Sequence, residues 1–152
     1  GTIVRQLRAG DEFDWAGAHV RVLSPPQDWL PTEKVRNNDS LVLQIRYQDT
    51  AVLLEGDAER QMESIIAKEA PRATLLKLAH NGSLTSTTPE LLDGVKPTHA
   101  FISVGARNMF HHPRQEVLAR LAERHIATYR TDTMGVLTFL LDGKTVEAMT
   151  GY

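Results

Sequence analysis

Cysteine is absent from this 152-residue chain, which excludes disulfides and thiolate metal ligands while leaving the compartment open. No apolar run approaches the ~20 residues that a bilayer-crossing helix needs, so the chain is not expected to span a membrane. Repeats and low-complexity segments are missing. No secretory-signal pattern opens the sequence, and Gly1-Thr2-Ile3 reads as an artificial start. A strong charge of either sign is lacking too. Seventeen Lys and Arg against nineteen Asp and Glu give a formal net charge of −2, so there is no bulk attraction to nucleic acid. Any such binding needs a local basic patch. The length suits one domain with a real core and falls short of two.

What is present is organised around residues 51–82. Ala51–Leu54 is an apolar run too short for a helix, followed at once by Glu55-Gly56-Asp57. Residues 58–69 place Met62, Ile65 and Ile66 at helical spacing as one apolar stripe, and Pro71 closes that helix. Thr74–Leu78 is a second apolar strand, ending in Ala79-His80-Asn81-Gly82. A carboxylate and an imidazole thus leave the ends of two strands joined by one crossover helix. Such a crossover is right-handed in nearly all cases, so the strands are predicted parallel with both ends on one edge. That carboxyl edge is where open α/β sheets bind ligands.

The flanking chain extends the pattern. Thr2–Leu7 alternates and predicts a strand, and residues 12–23 predict a hairpin with His19 facing solvent. Pro25, Pro26 and Pro31 make residues 24–34 a loop, which Trp29 is expected to anchor. Leu41–Tyr47 predicts a strand antiparallel to the one at 51–54. Thr88-Pro89 opens a short helix with Thr88 as its cap. His99–Val104 is a strand, Pro113 starts a helix running to His125, and Ala127–Arg130 is a further strand. Val136–Leu141 and Thr145–Met149 form a hairpin across Asp142-Gly143, a pair suited to a type I′ turn. The predicted fold class is α/β, a mixed sheet with helices mainly on one face. No second cover is evident, so self-association through bare sheet is expected.

Asp57, His80 and the pair His111-His112 therefore stand at the ends of strands expected to be neighbours. Carboxylate and imidazole suit zinc or manganese, and a bridging carboxylate is common in two-metal hydrolytic sites. Plainer readings stand beside this one. Asp57 could cap the following helix, His80-Asn81-Gly82 could be a turn, and His112 could be a helix entry before Pro113.

Six segments bear on the choice: NNDSLVLQIRY, LLEGDAE, LLKLAHNGSLTST, PELLDGVKPTHAFISVGARN, HPRQEVLARLAERHI and YRTDTMGVLTF. In order and spacing they resemble the second half of the metallo-β-lactamase-like domain that ends the ComEC family of DNA internalisation competence proteins. The resemblance covers most of Asn37–Phe139. It implies an αββα sandwich of which this chain is the C-terminal part, and a dinuclear hydrolase site acting as a nuclease during DNA uptake. By the same resemblance Asp57 is the metal-bridging aspartate and His80 a metal ligand, both catalytic together with His112. Gly82, Ser83, Thr85, Ser86 and Asn108 shape or line the substrate side, and His112 faces the phosphate. The implied setting is a soluble, extracytoplasmic domain of a bacterial inner-membrane protein, with DNA, the rest of the domain and a membrane channel domain as partners.

Two departures qualify this. The family pattern has two consecutive histidines where this sequence has His80-Asn81. The H-x-H-x-D-H signature that supplies most metal ligands is absent. The chain alone is therefore expected to bind metal weakly and to lack activity. The competing reading is a degenerate module that only holds DNA or a partner, with Lys34, Lys77, Arg107 and Arg114 supplying phosphate contacts.

Overall fold

In the computed structural model, which describes residues 4–30, 34–69 and 71–151, each strand of the main sheet lies beside the next one in sequence. Glu12–Trp15 (β1) and Ala18–Ser24 (β2) form a hairpin, and β2 pairs antiparallel with Val42–Tyr47 (β3). β3 pairs antiparallel with Thr50–Leu54 (β4). The ladder then turns parallel. Arg60–Lys68 (α1) crosses from β4 to Leu75–Lys77 (β5), and Pro89–Val95 (α2) crosses to His99–Ile102 (β6). Gln115–Glu123 (α3) crosses to Ala127–Arg130 (β7), completing seven strands. One helical turn, Thr131–Met134 (α4), leads into a separate antiparallel pair, Val136–Leu141 (β8) and Val146–Gly151 (β9).

Strand alternation sorts the two faces. Ala51 and Leu53 of β4, Leu76 of β5, and Ala100 and Ile102 of β6 are buried towards the helices. They meet Met62 and Ile66 of α1, Leu91, Leu92 and Val95 of α2, and Val117 and Leu121 of α3. Burying one Leu or Ile contributes roughly 1.5–3 kcal/mol, whereas an exposed pair such as Arg124–Asp93 at 3.0 Å gives at most about 1 kcal/mol. Packing therefore holds the helices down. In α1 the expected stripe needs correcting. Ile65 is 44% exposed and Glu63 is fully buried in its place, because the sheet lies under the row of Met62, Glu63 and Ile66.

The second face is not bare. Val20, Val22 and Leu75 are buried although they alternate away from the helical core. The hairpin β8–β9 lies on this side. Phe139 packs against Phe101 at 5.1 Å and Tyr129 at 5.4 Å between ring centroids, and the Gly143 carbonyl accepts from the Asp49 amide at 3.0 Å. The outer side of the hairpin remains open, with Val136 and Leu140 more than half exposed. Two further expectations change. Residues 4–8 form no strand; Arg8 donates its amide to Asp11, and the amides of Ala9 and Gly10 go to Pro25 and Val22. Thr2, Ile3 and Pro31 lie outside the described residues. The β8–β9 connection is a four-residue loop rather than a two-residue turn, since the Asp142 carboxylate accepts the amides of Lys144 and Thr145. Trp29 does anchor its loop, donating to Asp39 at 2.7 Å with the Arg8 guanidinium 4.7 Å above its ring.

Candidate functional site

The parallel strands end together, and the turns after β4 and β5 are tied to each other. Gly56, with φ +56°, turns the chain so that its carbonyl accepts the His80 amide at 3.0 Å. Residues just before β3 brace the same turn: Ser40 Oγ accepts the Asp57 amide at 3.0 Å, and Asn38 Oδ1 accepts the Glu59 amide at 2.8 Å. The Asp57 side chain is exposed. Its charge is felt by the Lys77 ammonium, whose pKa burial pushes down while Asp57 and then Glu55 oppose the fall.

His80 and Asn81 both adopt the left-handed backbone, with φ of 46° and 54°, and Gly82 follows at 81°. A Cβ on Gly82 would sit 2.6 Å from Pro113 Cβ, so only glycine lets the two turns approach this closely. The Gly82 carbonyl accepts the Arg114 amide at 3.0 Å. That approach brings His112 to His80, edge to face, with ring centroids 5.6 Å apart. The His112 imidazole is held below its ordinary pKa by burial, then by the neighbouring charges of His80 and Arg114. His80 Nδ1 is buried without a hydrogen-bond partner, 3.6 Å from Glu59 Oε1.

Asp57, His80 and His112 thus share one edge of the sheet. The hydroxyl-rich loop after His80 folds against the start of α1. Ser83 and Thr85 hydroxyls lie 3.0 Å apart, Thr85 donates to Glu59 at 3.0 Å, and Ser86 donates to the Ala58 carbonyl at 2.8 Å. Asn108 braces its own loop: its amide donates to the Gly105 and His112 carbonyls and accepts the His112 amide, all within 2.9 Å. His111 and Asn81 are exposed.

Two acidic residues escaped the sequence reading. Glu55 is fully buried, and neither carboxyl oxygen makes a hydrogen bond of good geometry; the nearby Ala79 amide and Lys77 ammonium favour its charged form. Burial, and then the charge of Glu63, hold its pKa well above the usual range. The signal was available, because Glu55 continues the inward phase of Ala51 and Leu53. Glu63 accepts the amides of Thr87 and Thr88, and burial raises its pKa against those bonds. Among the described residues no group of three or more His, Asp or Glu is arranged to hold a metal ion. The orphaned His80 nitrogen and the Asp57 carboxylate are suitable donors, but they do not fit a complete metal site by themselves. A surface groove lined by Leu92, Asp93, Lys96, Arg124 and Ile126 lies at the opposite end of the strands.

No family model matches the chain. It is similar to ComE operon protein 3 of Bacillus subtilis, 33% identical over 141 residues that make up 91% of this chain and 18% of that protein. It is also similar to Recombination protein 2 of Haemophilus influenzae, 35% identical over 84% of the chain and 16% of the relative. A third relative, Competence protein ComA of Neisseria gonorrhoeae, is 31% identical over 92% of the chain and 20% of its own length. These relatives are competence proteins of the ComEC family, and the chain spans no more than a fifth of their lengths. Among solved structures, CmlA, a diiron beta-hydroxylase from Streptomyces venezuelae, aligns with a TM-score of 0.60 over 85% of this chain and 33% of that one, at 11% identity. A mutant of the same enzyme aligns at 0.55. At that identity the likeness concerns the fold alone, which is metallo-β-lactamase-like.

Proposed function

We propose that this chain is the C-terminal part of a ComEC-type metallo-β-lactamase-like domain, and that its Asp57–His80–His112 edge is one half of a phosphodiester-hydrolysing site used in DNA uptake. The observation that carries the reading is the placement of Asp57, His80 and His112 in the loops that follow β4, β5 and β6 at one sheet edge, with the His80 and His112 rings in contact. It occurs in a chain 31–35% identical to competence proteins over 84–92% of its length. Asp57 and His80 would hold a divalent ion, zinc or manganese, together with donors from outside these residues. Such an ion supplies activated water and charge neutralisation when bound. His112, whose pKa is lowered, would present a neutral imidazole towards the phosphate. Ser83, Thr85 and Ser86 fix the loop that positions His80. The setting that fits is the extracytoplasmic side of a membrane protein, with the remaining domain and a channel domain as neighbours. No helix among the described residues is long and apolar enough to cross a membrane.

Two donors cannot fix an ion's geometry, so the chain alone is expected to cleave neither single-stranded nor duplex DNA in excess manganese or zinc. Cleavage above background that vanishes in Asp57→Ala would overturn that expectation. The longer protein should cleave, and Asp57→Ala should slow it by roughly a hundredfold or more, as loss of one transition-state contact does. A longer protein that binds DNA without cutting it would instead favour the non-catalytic module.

A further inference from the structure

The loop from Ala106 to His112 carries an unusual surface. Met109 is 86% exposed and Phe110 67% exposed, side by side at its tip. Large apolar side chains in so open a position gain little from the fold. Yet the loop is stiffened to present them, since the Asn108 amide bonds both Gly105 at its start and His112 at its end. Preorganisation of this kind lowers the ordering cost of binding.

Its surroundings are basic. Residues 106–114 contain Arg107, His111, His112 and Arg114 and no acidic residue, in a chain whose formal net charge is −2. Rings also lead inward from the tip. Phe110 lies 5.9 Å from His112, inclined by 31°, and His112 lies 5.6 Å from His80. A flat apolar group flanked by anions would meet a ring first and the strand-end histidines next. Unpaired nucleobases on a phosphate backbone have that chemistry, because every base offers a π-face and every linkage a charge. Paired bases hide their faces in the stack.

We propose that the 106–112 loop is a stacking platform for single-stranded nucleic acid, with an unpaired base on Phe110, Met109 at its margin, and Arg107 and Arg114 on the adjoining phosphates. This rests on the reading of the carboxyl edge as a DNA site and adds to it a preference for unpaired substrate and a means of placing the strand beside His112.

The test is fluorescence anisotropy of the full 152-residue chain with three labelled oligonucleotides of equal length: single-stranded thymidine, its duplex, and a single strand of abasic residues carrying the same charge. Anionic phosphatidylglycerol vesicles form a fourth arm. The wild type should bind the thymidine strand more tightly than the duplex or the abasic strand. Phe110→Ala should weaken thymidine binding by roughly tenfold, the size of one lost base–aromatic stack, and leave abasic binding unchanged. Phe110→Trp should restore the affinity, with fluorescence beyond that of Trp15 and Trp29 quenched by the thymidine strand. Equal affinity for thymidine and abasic strands, or a Phe110→Ala variant that binds as the wild type does, would overturn the stacking role while leaving the DNA reading intact. No binding to any oligonucleotide would overturn both. Loss of vesicle binding in Phe110→Ala, with DNA binding unmoved, would make the loop a lipid contact and overturn the proposal.

Discussion

Glu55 sits directly behind the edge that carries Asp57, sealed from water with both carboxyl oxygens unpartnered. A buried polar group without a hydrogen bond costs about 1–3 kcal/mol, and an ionised one costs more. Its folded pKa is raised above the unfolded value. The linked stability is therefore fully present below the unfolded value and is lost as pH rises through the folded one. Glu55→Gln removes the ionisation and keeps the shape. We expect it to raise the melting temperature at pH 7.5 by roughly 3–6 °C, with little change at pH 4, and to flatten the pH dependence above the ordinary carboxylate range. A variant melting lower than wild type at pH 7.5 would mean that the carboxylate has a partner worth keeping. Asn81 belongs to this scale as well. It is exposed and holds a left-handed backbone that asparagine tolerates well. The backbone thus gives its own reason for asparagine here, separate from any loss of a ligand.

Among the elements, the turn before α2 is gripped from both sides. Glu63 of α1 accepts the amides of Thr87 and Thr88, while Arg120 of α3 donates to the carbonyls of Ser86 and Thr87. Glu63→Ala would leave the buried N–H groups of Thr87 and Thr88 without their carboxylate acceptor. We expect a loss of about 3 kcal/mol from urea unfolding midpoints at constant slope, against about 1 kcal/mol for Arg120→Ala. A Glu63→Ala cost below the Arg120→Ala cost would show that the turn is held mainly from α3. Strands and crossovers were legible in the sequence because apolar runs of strand length, separated by helical spacing, leave few topologies open. Asp57 and His80 were legible for the same reason, as polar residues at strand ends. The grip on Thr87 was not, since a glutamate on a helix normally faces water, and only the third dimension shows that α2 begins beside it. The hairpin cover was also missed. Phe139 reads as one residue of an exposed alternating strand until Phe101 and Tyr129 are seen beneath it.

For the molecule as a whole, one surface is left unfinished. The outer side of β8–β9 exposes Val136, Leu140 and Met149, and among the described residues neither edge of that pair has a further partner. Exposed apolar edges promote pairing. We expect the chain to self-associate in sedimentation velocity runs as concentration rises, and Val136→Lys with Leu140→Lys to return it to a monomer. A wild type that stays monomeric throughout would show that the hairpin is polar enough to stand alone. The main sheet has a different character, because its spatial order is its order of synthesis, β1 through β7 without exception. A sheet laid down in this way grows only at its newest edge. Each strand can dock as it leaves the ribosome, and no finished pair has to reopen to admit a later one. Contacts then close over short stretches of chain, which favours quick assembly even though four of the strands are parallel. A chain interrupted part-way through translation would keep an orderly sheet up to the break, with one unsealed edge for quality-control factors to find.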